Sequence, residues 1–178
     1  MNIPNALTLF RMLLVPFFVI FLLYGHPLYA FLTFALAGVT DALDGFIARV
    51  FHQKTILGAY LDPIADKLLI VTSYIMLAVI DLLPPWLSVL VISRDIVILL
   101  GIVVLFINNK SIEIKPTIIG KISTFTQIAT VVVALAVAQP IQIIHPFLEV
   151  SIFLTAVFTV ISGFQYTYIG VRQMGELK

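Results

Sequence analysis

There is no cysteine in this chain of 178 residues, only one tryptophan, and no more than 11% of the side chains are charged. Without cysteine, disulfides, thiolate metal sites and cysteine nucleophiles are all excluded. The shortage of charge excludes more. Soluble domains carry about a quarter charged residues, whereas the ten basic and nine acidic residues here are scattered among apolar runs, for a net charge of +1. Such a scatter offers no basic patch, so no nucleic acid is expected as a partner.

What the chain does have is apolar length. It is 61% hydrophobic, with a mean hydropathy of +1.15, which is the composition of an integral membrane protein. Apolar runs cover about residues 8–24, 28–51, 58–83, 86–107, 117–138 and 146–169, with Gly25-His26-Pro27 and Pro84-Pro85 as breaks. At about 1.5 Å rise per residue each can cross a bilayer. Residues 2–8 read as a turn or short interfacial start, because Pro4 lies among them. The first run is expected to be retained, since no small-residue cleavage site follows Arg11 and its apolar stretch. Once the runs are counted, residues 1–178 make a single membrane domain with no room for a soluble one.

Orientation follows from lysine and arginine. With the link after the second run in the cytoplasm, Arg49, Lys54, Lys110, Lys115, Arg172 and Lys178 fall on or near that side. The opposite loops, GHPL, LLPP and QPIQIIHP, contain neither residue type. That asymmetry places both termini in the cytoplasm. The expected fold is an all-α integral membrane protein, a bundle of six transmembrane helices with its cavity open to the cytoplasm.

Four aspartates interrupt this apolar background. Asp41 and Asp44 stand three apart on the second run, Asp62 and Asp66 four apart on the third. On helices both spacings put the two carboxylates on one face. An ionised carboxylate in hydrocarbon costs about 2.5–3.5 kcal/mol even on the lenient insertion scale. Only Arg49, Lys54 and Lys67 lie nearby in sequence, too few to neutralise four such groups as a structural ion-pair network. Oxygen ligands without histidine or thiolate suit a hard cation such as Mg²⁺, Mn²⁺ or Ca²⁺, and two pairs could hold two ions. Paired oxygen-ligated cations fit chemistry on phosphates. Asp41 lies roughly 15 Å below the cytoplasmic end of its helix. Asp66, the deepest along its own, is best placed to be shared between metal and substrate. Gly45, Ala48, Gly58 and Ala65 are small enough to let backbones and a flat ligand approach, and Arg49 near the mouth suits a diphosphate.

The pattern Asp41-x2-Asp44-Gly45-x2-Ala48-Arg49-x8-Gly58-x3-Asp62-x3-Asp66 resembles, without a departure, the signature of the CDP-alcohol phosphotransferases. The opening NIPNALTLFR and the run DPIADK are similar to bacterial members, so the resemblance covers essentially the whole chain. It implies a six-helix membrane bundle, usually a homodimer, in the bacterial inner membrane. It implies displacement of CMP from CDP-diacylglycerol by the hydroxyl of an alcohol acceptor, with Mg²⁺ or Mn²⁺ required. By the same resemblance Asp41, Asp44, Asp62 and Asp66 hold the metal, and Asp66 is also the base for the acceptor hydroxyl. Asp41, Gly45, Ala48, Arg49, Gly58 and Asp62 line the CDP-lipid.

For the acceptor, the opening and the stretch Gly120–Thr124 resemble the branch that uses glycerol 3-phosphate. Ser93-Arg94-Asp95, Ser123, Lys115-Pro116-Thr117 and Gln127 look more like the branch that uses phosphatidylglycerol. The bacterial look of the chain, which lacks a transit peptide, tilts the expectation to glycerol 3-phosphate. Arg94 and Lys121 are the candidates for binding the acceptor. Arg94 and Asp95, being adjacent, are expected to point apart, and Lys67 to snorkel or brace Asp66. His26, His52 and His145 read as solvated. A cation transporter also uses intramembrane carboxylates. All four acids here lie in one half of the membrane, however, and no inverted repeat accompanies them.

Overall fold

The computed structural model describes residues 3–50, 56–107, 117–139 and 145–175. Among these the chain is all-helical, with α1 (Ile3–Leu23), α2 (Pro27–Val50), α3 (Ile56–Val79), α4 (Pro85–Ile107), α5 (Ile118–Val137) and α6 (His145–Gly175). Proline opens or nearly opens four of the six, at Pro4, Pro27, Pro85 and Pro146. Its missing N–H costs nothing in a first turn and its fixed φ is already helical. This is why residues 3–8, expected as an interfacial turn, instead form the first turns of α1.

Two helix ends share one closure. After α1, the His26 N–H reaches the Phe21 carbonyl at 2.8 Å and Gly25 reaches Leu22 at 3.1 Å, with Gly25 at φ +70°. After α3, Leu82 reaches Leu77 at 2.9 Å and Asp81 reaches Ala78 at 3.2 Å, with Asp81 at φ +59°. Aspartate tolerates this left-handed position better than most residues. The third helix therefore stops at Val79, short of the apolar run that continues to Leu83. At the start of α5, Thr117 caps the helix by accepting the Gly120 N–H at 3.0 Å.

α1 packs against both α2 and α3, while α6 packs against α4 and α5. Phe18, Leu77, Leu87, Val91, Val131 and Leu135 are fully buried where these helices meet. The surface is as apolar as the core: Leu13, Phe17, Val89, Phe125, Phe153 and Phe164 are each more than half exposed. Polar groups lie inside instead. Gln127 donates to Thr159 at 3.3 Å and the Thr130 and Thr155 hydroxyls bond at 2.8 Å, forming a polar seam between α5 and α6. Tyr74 on α3 donates to the Gln127 carbonyl at 3.1 Å. An apolar exterior over a hydrogen-bonded polar interior suits lipid, where small and hydroxyl-bearing residues join helices. Among the described residues, three helices contain stretches long and apolar enough to cross a bilayer: Ala6–Leu23, Ile118–Val137 and Pro146–Arg172.

Candidate active site

Three helices, not two, build the acidic site. α2 presents Asp41 and Asp44 one turn apart, and α3 presents Asp62 and Asp66. α1 lies against both and turns Thr8 and Arg11, three residues apart on one face, toward them. The Arg11 guanidinium lies between the carboxylates. Its Nη1 stands 2.9 Å from Asp41 Oδ1 and also donates to Asp66, while Nη2 donates to Asp44. Thr8 donates to Asp62 Oδ1 at 2.6 Å. Each of the four aspartates is thus met by a donor from α1.

Burial within the cluster is graded. Arg11 has no exposed surface and Asp44 is nearly as deep, whereas the Asp41 and Asp66 side chains are 49% and 43% exposed. The cluster is closed at Asp44 and accessible at Asp41 and Asp66. One guanidinium against four carboxylates leaves a net charge of −3 if all are ionised (1 − 4). The donor set fits a hard cation, since only carboxylate oxygens converge and two of them share one nitrogen of Arg11. Among the described residues no three acids stand close enough to form a metal cage as they are, with Arg11 between them.

Arg11 is the residue that sequence reading missed. It was visible only as a positive charge ahead of an apolar run, and it lies 33 and 55 residues from its partners Asp44 and Asp66. The run of one-turn spacings that reveals the aspartates has no counterpart linking them to α1. Gly45, Ala48, Arg49 and Gly58 lie on α2 and α3 beside the aspartates, but their side chains fall outside the described residues. Lys54, Lys110, Lys115 and the segments 51–55, 108–116 and 140–144 also lie outside them.

The two acceptor candidates gather elsewhere. Ile64, Lys67 and Leu68, on the face of α3 away from Asp62 and Asp66, line a cavity of about 990 Å³ with Arg94, Asp95 and Lys121. Its wall is largely apolar. Two expectations are corrected here. Arg94 and Asp95 do pair, Nη1 to Oδ1 at 2.7 Å, the arginine being long enough to reach its neighbour. Lys67 pairs with Asp95 at 2.6 Å and does not brace Asp66. Arg94 also donates to Ser162 at 2.7 Å and stacks over the Tyr166 ring, 5.6 Å from its centroid. Arg94 therefore fastens α4 to α6.

The four aspartates stand on α2 and α3, and α1 meets each of them with a donor. A family model described as CDP-alcohol phosphatidyltransferase matches residues 1–162. The chain belongs to this family. A CDP-diacylglycerol--glycerol-3-phosphate 3-phosphatidyltransferase of Bacillus subtilis is 32% identical, over 93% of this chain and 93% of its own length. A probable phosphatidylglycerophosphate synthase of Mycobacterium tuberculosis is 35% identical, over 99% of this chain and 85% of its own. A probable cardiolipin synthase (CMP-forming) of Drosophila melanogaster is also 35% identical, over 93% of this chain but 56% of its own. The chain is thus a transferase that uses a CDP-alcohol and an alcohol acceptor, in a family generally dependent on a divalent metal ion. Membership leaves the transporter reading without support.

Proposed function

We propose that this chain is a phosphatidylglycerophosphate synthase, transferring the phosphatidyl group of CDP-diacylglycerol to glycerol 3-phosphate and releasing CMP. The observation that carries the reading is the cluster of Asp41, Asp44, Asp62 and Asp66, accessible on the side of Asp41 and Asp66. Relatives named for glycerol 3-phosphate match this chain along nearly their whole length, which supports the choice of acceptor.

In this reading the four aspartates hold Mg²⁺ or Mn²⁺, two ions in all. The metal, when bound, neutralises the diphosphate and the charge that develops as CMP leaves. Gly45, Ala48 and Gly58 admit the cytidine nucleotide close to the backbone, and Arg49 pairs with the diphosphate. Asp66, accessible and beside Asp41, accepts the proton of the acceptor hydroxyl as its oxygen attacks the phosphorus bonded to the lipid. The bond from that phosphorus to the CMP oxygen breaks, and CMP departs with the electron pair. Asp66 then returns its proton to water. Arg94 holds α4 and α6 in register, and Lys121 faces the cavity on the far side of α3 from Asp66, so neither is given the acceptor's phosphate in this reading.

The protein is read as crossing the bacterial inner membrane six times, as a homodimer, with both termini and the carboxylates toward the cytoplasm. The positive-inside distribution of Arg49, Lys54, Lys110, Lys115, Arg172 and Lys178 supports that orientation. One observation favours a second acceptor, phosphatidylglycerol, which would make the enzyme a cardiolipin synthase. Relatives named cardiolipin synthase match at similar identity, 35% for the probable enzyme of Drosophila melanogaster.

The test is incorporation of radiolabelled glycerol 3-phosphate into lipid by purified protein with CDP-diacylglycerol and Mg²⁺. Label in a phosphatidylglycerophosphate product supports the reading. Its absence, with label from phosphatidylglycerol entering cardiolipin instead, replaces the acceptor.

A further inference from the structure

Arg11 stands where a cation is wanted. Its guanidinium has no exposed surface and meets three of the four carboxylates, two through Nη1 and one through Nη2. Its Nε, equally buried, finds no acceptor among the described residues. An unpartnered buried donor costs stability, so the guanidinium is not fully satisfied in this arrangement. Moreover, Asp41 and Asp66, which share Nη1, are the two members with half-exposed side chains, so those contacts can open without disturbing the packed side.

We propose that Arg11 is the built-in counter-cation of the four carboxylates, exchanging with the divalent metal for the same oxygens. This rests on the reading of the aspartates as metal ligands. Four carboxylates within a bilayer need positive charge at every stage, and without metal Arg11 supplies it. A guanidinium and a divalent ion on the same oxygens repel each other, so entry of the metal displaces Nη1 from Asp41 and Asp66. Arg11 is a positioning residue: it keeps the carboxylates gathered and lowers their affinity for metal to a reversible range.

The experiment measures Mn²⁺ binding by electron paramagnetic resonance, and melting temperature in EDTA or saturating Mg²⁺, for the full-length protein in nanodiscs. Arg11→Met, which keeps the length and removes the charge, is expected to bind Mn²⁺ about tenfold tighter than wild type, its competitor being gone. In EDTA it melts below wild type, and saturating Mg²⁺ closes most of that gap. Arg11→Lys, which keeps a charge that cannot fork to three carboxylates, falls between the two. Equal or weaker Mn²⁺ binding by Arg11→Met, or a melting deficit that Mg²⁺ leaves unchanged, overturns the exchange alone. If wild type and both variants bind no Mn²⁺, the metal reading falls and takes the exchange with it. If Arg11→Met fails to fold, wild type labelled with ¹⁵N-arginine decides. The Arg11 Nε–H signal, assigned by its loss in Arg11→Lys, shifts on adding Mg²⁺ under the proposal, and an unmoved signal refutes it.

Discussion

Arg11 on α1 and Asp44 on α2 form an ion pair that water scarcely reaches, with relative exposures of 0% and 4%. It ties the N-terminal helix to the helix bearing the first half of the signature. Breaking a buried pair from one side costs about 3–5 kcal/mol when the other charge is left without a partner. Arg11 keeps Asp41 and Asp66, so Asp44→Asn should lower stability in EDTA by less than that. The double variant Arg11→Met, Asp44→Leu should lose less than the sum of the single losses. Denaturant unfolding in detergent measures both, and additive losses would mean the two residues act independently.

Asp66 carries the base assignment. Asp66→Asn keeps the shape and one acceptor oxygen but cannot take a proton, so CMP release should fall by about 10²–10⁴-fold. Binding of CDP-diacylglycerol should hold to within a few-fold. Asp41→Asn should weaken turnover and lipid binding together. Separate measurements of turnover and of binding distinguish the two, and normal turnover by Asp66→Asn would remove it from the chemistry.

Thr8 is expected to matter through Asp62, to which it donates at 2.6 Å. A hydrogen bond to a charged group contributes about 1.5–3 kcal/mol. Thr8→Val should therefore slow CMP release and raise the metal concentration needed for half-maximal rate, and Thr8→Ser should restore both. Metal titrations of the rate check this. Equal behaviour of the valine and serine variants would show that the hydroxyl is not what α1 contributes.

Gly120 tests the packing beside the second cavity. A Cβ there would come within 2.6 Å of the Tyr166 hydroxyl and 3.1 Å of Thr117 Oγ1. Overpacking of this kind costs about 1–3 kcal/mol, so Gly120→Ala should lower the melting temperature. The same substitution made together with Tyr166→Phe should lose less, because the closest oxygen is then absent.

Much of this was legible in the sequence because the signals are local. Apolar runs bounded by Gly25 and by Pro84-Pro85 gave helix positions to within a few residues. The one-turn spacings of Asp41 with Asp44 and of Asp62 with Asp66 gave a shared face within each pair. Three things were not legible, each for a physical reason. The Arg11 contacts span 33 and 55 residues, and nothing in local periodicity encodes which helix lies between two others. The pairing of Arg94 with Asp95 depends on the reach of a long side chain, which spacing rules for neighbouring residues do not anticipate. The end of α3 at Val79 rests on Asp81 adopting a left-handed backbone that a sequence would assign to glycine.

The most direct test is CMP release by the purified protein with CDP-diacylglycerol and Mg²⁺, offering glycerol 3-phosphate and phosphatidylglycerol separately, with Asp66→Asn and EDTA as controls. The account predicts CMP with glycerol 3-phosphate alone, abolished by either control. Release with phosphatidylglycerol alone, or release that persists in EDTA or in Asp66→Asn, would contradict it.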